Sequence, residues 1–368
     1  MQRKFLSFLG AVLVAMVGVG AAQAQVDNSL VNIDTPVLSD EATQTAPANG
    51  YYSNSPQAMA FAERLASKHD LPPDAVRNIL GQARFSPAAQ RLMRPTQQSF
   101  FKNWRVYRSR FVEPIRINAG LRFWQTHRET LERAEAEYGV PQEVILGILG
   151  VETLYGRDMG SFRVIDVLAT LAFDFPKTAK RDRSDFFQAE LASFLRQQMQ
   201  AGRDPLQPKG SYAGAMGMGQ FMPSSLQNFA VDFDGDGIID LSQATDAIGS
   251  VAHYFQAYGW KRGQQAIFDV QLASDAQLDK LLAPDILPSF NPKQMQVLGA
   301  QLPESAQDYR GNLALIELFN GDPAVPENAK TYYAGTDNFY VITRYNQSSY
   351  YAMAVLDLGA AVRERAGF

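Results

Sequence analysis

The stretch Val140-Pro141-Gln142-Glu143-Val144-Ile145-Leu146-Gly147-Ile148-Leu149-Gly150-Val151-Glu152-Thr153-Leu154-Tyr155-Gly156 sets the frame for the chain. Pro141 suits the first turn of a helix, where its missing N–H costs nothing. Ile145, Ile148, Leu149 and Glu152 then recur at helical spacing, so one face carries three large apolar side chains and one carboxylate. Gly156 is a stop signal, which puts Glu152 in about the last turn. Apolar neighbours and the negative end of the helix dipole both disfavour an ionised carboxylate. Both raise its pKa, the direction a general acid near neutral pH requires. A structural alternative is a Glu152 satisfied by a buried arginine such as Arg157 or Arg163.

Outward from this helix the pattern stays mostly helical. Toward the N-terminus, Ala58, Phe61, Ala62 and Leu65 repeat at three and four, Leu71-Pro72-Pro73 breaks the pattern, and Ala75 to Ala83 restarts it. Phe101 to Phe111 and Ala119 to Tyr138 read as further helical stretches. Toward the C-terminus come a helix from about Ser184 to Gln200, a glycine-rich turn at Gly214 to Gly219, an acidic loop at Asp232 to Asp240, and a helix from Asp246 to Tyr258. Residues 262–335 mix short apolar runs with Pro and polar breaks, which reads as a small mixed or β-rich insertion. Phe339-Tyr340-Val341-Ile342-Thr343 is a strand by propensity. Asn346 to Val362 returns to a helical pattern.

The first residues bear on the compartment. Arg3 and Lys4 precede an apolar run from Phe5 to Gly20, and Ala22-Gln23-Ala24 offers a small-x-small cleavage pattern. Residues 1–24 therefore read as a secretory signal peptide, not a membrane anchor, which calls for ~20 continuous apolar residues. Residues 25–50 have the composition of a disordered leader. The 368-residue chain has no cysteine, which excludes disulfides and a lipid-bearing cysteine. Its formal charge is −4, and removal of Arg3 and Lys4 makes the mature form about −6. That balance gives no basic face for nucleic acid. No later segment reads as a membrane span, so the mature protein is expected to be soluble in the periplasm.

The acidic loop Asp232-Phe233-Asp234-Gly235-Asp236-Gly237-Ile238-Ile239-Asp240 follows the opening of an EF-hand loop. Carboxylates at Asp232, Asp234 and Asp236, a glycine at the sixth position, Gly237, and a carbonyl at Ile238 suit a hard, oxygen-loving cation. The closing glutamate is missing, because Gln243 stands at that position. A solvated acidic turn is the plainer alternative.

Four long motifs, read together and in order, carry a resemblance. They are Val140-Pro141 with Gly147 to Gly156; Gly210-Ser211-Tyr212-Ala213-Gly214-Ala215-Met216-Gly217-Met218-Gly219-Gln220-Phe221-Met222-Pro223-Ser224-Ser225; Asp246 to Ala252 with Tyr254-Phe255; and Asn338 to Asn346. The chain resembles the B-type lytic murein transglycosylases (the membrane-bound lytic transglycosylase B family, glycoside hydrolase family 103) over roughly residues 100–360. The resemblance implies a predominantly α, α+β fold. A helical region over 51–139 precedes a lysozyme-like catalytic core over 140–261, whose EF-hand-like loop spans 232–246. The small β-containing insertion over 262–335 follows, and 336–368 returns to the core. It implies cleavage of the β-1,4 bond between N-acetylmuramic acid and N-acetylglucosamine in peptidoglycan, leaving a 1,6-anhydro-muramoyl end.

The resemblance also assigns residues. Glu152 matches the single catalytic carboxylate. Ser211 and Gln220 match groups that hold substrate or orient Glu152, and Gly217 and Gly219 let the backbone approach the sugar. Tyr107, Tyr254, Tyr345 and Tyr351 match positions near the cleft, and Asn346 matches an amide partner of the reaction centre. Arg183 and Phe186 are the best matches in a stretch, Pro176 to Phe186, that is longer here than in the family. Phe186 lacks the hydroxyl of the family's Tyr, which leaves contacts to the substrate peptide open. The family's longer acidic loop closes on an Asp, and Asp246 stands there, so the implied Ca2+ ligands are Asp232, Asp234, Asp236, the Ile238 carbonyl and Asp246, with Asp240 acting through water. That ion is expected to be structural and not needed for the chemical step. The implied partners are glycan strands, with cell-wall synthesis or division proteins as further candidates. A muramidase hydrolysing the same bond and a non-catalytic peptidoglycan-binding protein are the competing functions. The first needs a second carboxylate to activate water, and no motif supplies an obvious one.

Overall fold

The computed structural model describes residues 51–94, 101–179, 181–322 and 324–367. The signal peptide and the leader expected over residues 1–50 lie outside the described residues. The chain is predominantly helical, with a few short strands, as expected.

The Glu152 helix is seated in the first of two large apolar cores. The first is built where Gln142–Thr153 packs against the last long helix, Ser349–Ala366. Their backbones touch at two glycines. A Cβ on Gly147 would lie 2.2 Å from the Val355 carbonyl oxygen, and one on Gly359 would lie 2.0 Å from that of Glu143. Any side chain at either position would force the helices apart. Helix Ala244–Ala257 closes this core through Ile248, Val251 and Phe255. The second core joins the N-terminal helices Pro56–His69 and Pro73–Gly81 to the pair Val164–Phe173 and Ser184–Gln200. Ser55 caps the first of these helices, its side chain accepting from Ala58 N at 3.3 Å, with Pro56 at the first helical position.

The insertion holds a third, smaller core beneath an antiparallel sheet. Thr331–Gly335 is its central strand, flanked by Ile267–Asp269 and Ala314–Leu318. Ile316 pairs with Tyr333, and Phe268 with Ala334. A separate two-stranded ladder pairs Phe162 with Gly210 and Arg163 with Lys209, which delivers the chain to Ser211.

Three local readings are corrected. Phe339–Thr343 is not a strand but lies inside the helix Asp337–Tyr345. Thr336 caps it by accepting from Asn338 N at 3.1 Å, and the Asn338 amide donates to the Lys261 and Gln264 carbonyls at 2.9 Å each. Those distant anchors, and burial of Phe339 and Ile342, override β-propensity. The stretch Ala119 to Tyr138 belongs to two helices, Pro114–Thr126 and Arg128–Tyr138, broken at His127. Pro141 is the residue before the Glu152 helix, with ψ 143°, not its first turn.

Candidate active site

Glu152 lies one residue before the end of its helix. Beyond it Leu154, Tyr155 and Gly156 all take the left-handed conformation, with φ of 50°, 58° and 85°. Two of these are not glycine, and each such residue costs roughly 1 kcal/mol or more. Hydrogen bonds from Leu154 N to Gly150 O and from Tyr155 N to Leu149 O hold the reversal. It turns the chain away from the helix axis directly after Glu152.

The carboxyl is crowded by protein on most sides and keeps a small exposed part. Burial pushes its pKa up to about 7, against an ordinary value of 4.5. The Tyr351 hydroxyl, donating to Oε1 at 2.5 Å, works in the opposite direction. Tyr351 is fully buried, and its own pKa is driven well up, first by burial and then by the Glu152 charge. The arginine alternative is not what the structure contains: Arg163 pairs with Asp166 at 3.0 Å, and Arg157 is exposed.

The glycine-rich turn stands opposite. Met216 and Phe221 pair through both backbone hydrogen bonds, at 2.9 and 3.0 Å, and enclose a tight loop of four residues. Gly217 has φ 72°, and a Cβ there would strike the Leu241 side chain at 2.4 Å. Gln220 also sits at positive φ, 51°, and its amide donates to the Gly217 and Met159 carbonyls at 2.9 and 3.3 Å. Three contacts fix this loop. Thr153 Oγ1 donates to Met218 O at 2.8 Å, Met218 N donates to Leu241 O at 2.8 Å, and the Tyr345 hydroxyl donates to Gly219 O at 2.5 Å. Tyr345 feels the Glu152 charge, so the turn and the carboxyl share one neighbourhood.

The expected site residues divide by position. Gln220, Phe186, Tyr254 and Tyr345 line one cleft, together with Phe221 and Glu190. Tyr351 touches Glu152, and Tyr107 lies near enough to Tyr351 to raise its pKa further, after burial and closer charges. Tyr254 is almost wholly enclosed: its hydroxyl donates to Arg344 O at 2.7 Å and its ring packs 4.8 Å from that of Tyr345. Ser211 closes its own turn, with Oγ accepting from Ala213 N at 3.3 Å and Ala215 N at 3.1 Å. Asn346 ends the helix Asp337–Tyr345, half-buried, its carbonyl accepting from Ser348 N at 2.7 Å. Arg183 stacks over Phe186 at 5.2 Å, near Tyr212; burial and Arg181 lower its pKa.

Glu190 was not among the expected residues. Phe187, Glu190, Leu191 and Phe194 repeat the spacing that marks Glu152: a carboxylate on an apolar helix face. That pattern was the available signal. The Glu190 oxygens accept from Ser224 N at 2.8 Å and Ser224 Oγ at 2.6 Å, and burial raises the carboxyl pKa against both bonds.

The acidic loop brings Asp232, Asp234 and Asp246 together, with one oxygen of each within 4.8 Å of the others. This all-oxygen donor set fits a hard divalent cation. Asp246 is buried in the first turn of its helix and accepts from Phe233 N at 2.7 Å and Asp240 N at 2.8 Å. The Asp236 carboxylate lies outside that trio and accepts from Ile238 N at 2.7 Å. The Asp240 carboxylate accepts from Ser242 N at 2.9 Å and Ser242 Oγ at 2.7 Å.

The chain is similar to proteins of known structure and sequence family. A family model described as the transglycosylase SLT domain matches residues 53–360. The chain is 41% identical over 323 residues to membrane-bound lytic murein transglycosylase B of Escherichia coli, covering 85% of this chain and 84% of that protein. The solved Escherichia coli lytic transglycosylase SLT35, in complex with calcium, is 38% identical with a TM-score of 0.74, over 87% of this chain and 96% of that one. SltB3 of Pseudomonas aeruginosa, in complex with NAG-anhNAM-pentapeptide, is 28% identical with a TM-score of 0.70, over 83% and 78%. The curated Escherichia coli relative is named as membrane-bound, and among the described residues of this chain no helix is long and apolar enough to cross a membrane. With a match this long, and the same lysozyme-like architecture, the chain belongs to the transglycosylase SLT domain family.

Proposed function

We propose that this chain, a lytic transglycosylase by family, cleaves the β-1,4 bond between N-acetylmuramic acid and N-acetylglucosamine with Glu152 as its one acid–base carboxylate. The observation that carries the reading is the Glu152 carboxyl itself, pushed up to about 7 by burial and aimed by the Tyr351 hydroxyl. At neutral pH a large fraction is protonated and can donate to the leaving glycosidic oxygen. The muramoyl N-acetyl group shields the positive charge that develops at C1. Glu152, now ionised, takes the proton from the C6 hydroxyl as that oxygen bonds to C1. The proton count closes, the enzyme returns to its starting state, and no water is consumed. An internal hydroxyl has an effective concentration that water does not match.

The lining residues take supporting parts. Gln220, Ser211 and the backbone of Gly217 to Gly219 hold the sugar. Tyr107, Tyr345, Tyr351 and Asn346 frame the reacting ring, Tyr254 backs Tyr345 from behind, and Arg183 with Phe186 meets the peptide side. Asp232, Asp234 and Asp246, completed by Asp236 and the Ile238 carbonyl, hold a structural Ca2+. Its tie to the site runs through Leu241, whose carbonyl receives Met218 N. The reaction takes place in the periplasm, on glycan strands that cell-wall synthesis or division proteins also handle.

A hydrolase needs a second carboxylate free to activate water. Glu190 is the second carboxylate of the cleft, but it is buried and both its oxygens are engaged by Ser224. Incubating the mature protein and a Glu152→Gln variant with isolated sacculi tests the reading. Anhydro-muropeptides from the first and none from the second support it. Products with reducing ends point to a hydrolase, and binding without products points to a scaffold.

A further inference from the structure

Among the described residues, the charged side chains in the fully buried class are Asp246 and Glu190. Asp246 closes the acidic loop. Glu190 has no such assignment. Among the described residues it has no ion-pair partner, and a buried carboxylate without one is costly unless hydrogen bonds replace its hydration. Ser224 supplies both, through N at 2.8 Å and Oγ at 2.6 Å. Ser224 stands in the first turn of the helix Pro223–Phe229, directly where the chain leaves the substrate turn at Phe221 and Met222. The neighbouring Pro223 carbonyl is held too, by the Gln197 amide at 2.8 Å. Glu190 and Gln197 belong to one helix, Ser184–Gln200, which is seated in the second core.

The substrate turn is thus tied at its exit as well as by Thr153, Leu241 and Tyr345. Its entry is held from the Glu152 helix by Thr153, its tip by Tyr345, and its exit by Glu190. The first two ties come from the core that contains Glu152. The exit tie comes from the second core, which also seats Met216 at the start of the turn, so the hydrogen bonds of Ser224 fasten the far end of the turn to that same core.

We propose that Glu190 is a positioning residue: through Ser224 it fixes the exit of the substrate turn and keeps Gln220 and Tyr345 in register with Glu152. It touches no reacting atom. Without it the turn swings outward, water reaches Glu152, and the desolvation that raises the Glu152 pKa weakens. The inference rests on the lytic transglycosylase reading for its kinetic readout.

The test compares the wild type with Glu190→Ala, Glu190→Gln and Ser224→Ala on purified soluble muropeptides, following anhydro product against pH. Glu190→Ala is expected to lower kcat/KM about 10- to 100-fold, the scale of a misplaced site, and to move the alkaline limb of the profile to lower pH. Glu190→Gln is expected to recover most of the loss, since its oxygen accepts Ser224 N–H and its amide donates to Ser224 Oγ. Ser224→Ala, which keeps the backbone bond, should fall between and remain folded if Glu190→Ala does not. A folded Glu190→Ala or Ser224→Ala with a wild-type rate and an unmoved limb would overturn the proposal. Carbon NMR titration of Glu152 in the same proteins separates the two ideas, because it needs no turnover. A wild type that releases no anhydro product sinks the functional reading. An unchanged Glu152 titration in the variants sinks the role of Glu190.

Discussion

The Tyr351 hydroxyl donates to Glu152 Oε1 across 2.5 Å, joining two helices whose backbones already touch at Gly147 and Gly359. Side-chain aim and helix packing are therefore one feature. The carboxyl is oriented by a residue whose own helix has nowhere else to sit.

Replacing Tyr351 by Phe removes the donor and leaves the ring. A hydrogen bond to a charged group contributes roughly 1.5–3 kcal/mol, so the rate should fall about tenfold or more. The bond lowers the Glu152 pKa, so its loss must raise it. The alkaline limb of kcat/KM is expected to move to higher pH, opposite to the shift expected for Glu190→Ala.

Stability should carry the mark of Glu152 as well. Its folded pKa, about 7, lies above the ordinary 4.5. Below 4.5 both folded and unfolded chains hold the proton, and the group costs nothing. As pH rises from 4.5 to 7 the unfolded chain ionises first, and stability falls by up to about 3 kcal/mol before levelling off. Glu152→Gln has no such proton to lose. Thermal unfolding should show the variant gaining on the wild type across that window and holding a constant lead above it.

The acidic loop makes a different kind of contribution. Chelation should lower the melting temperature of calcium-loaded protein, by about 2.7 kcal/mol of stability for an ion present at 100 times its Kd. Asp246→Ala should destabilise even the calcium-free protein, because Phe233 N–H and Asp240 N–H lose their acceptor. An unpaired buried donor costs roughly 1–3 kcal/mol. Calorimetry of both proteins, with and without chelator, separates the two effects.

The helix crossing is testable by one methyl group. Gly359→Ala places a carbon against the Glu143 carbonyl, and Gly147→Ala does the same at Val355. Overpacking of this kind typically costs about 1–3 kcal/mol. Because the same contact aims Tyr351 at Glu152, activity should fall further than stability when both are measured at a temperature where the variants are folded.

Legibility of the sequence followed the reach of each interaction. Glu152 could be found because its apolar companions lie within two helical turns. Asp232 and Asp234 could be found from fixed local spacing, and Asp246 from the family motif. Tyr351 reached the site only through resemblance, since its partner is 199 residues away. Glu190 was missed because the meaning of its helical spacing depends on Ser224, 34 residues on. Phe339 to Thr343 was misread because the carbonyls that anchor that helix, on Lys261 and Gln264, come from the far side of the insertion. Local chemistry was readable, and contacts between distant segments were not.

The most direct test of the central claim is to digest sacculi with the mature protein in heavy-oxygen water and weigh the muropeptides. If the C6 hydroxyl attacks C1 under the control of Glu152, the muramoyl ends carry no label and are lighter by one water than reducing ends. Heavy oxygen at those ends would mean that water is the nucleophile, and the account of a single carboxylate acting as acid and then base would be wrong.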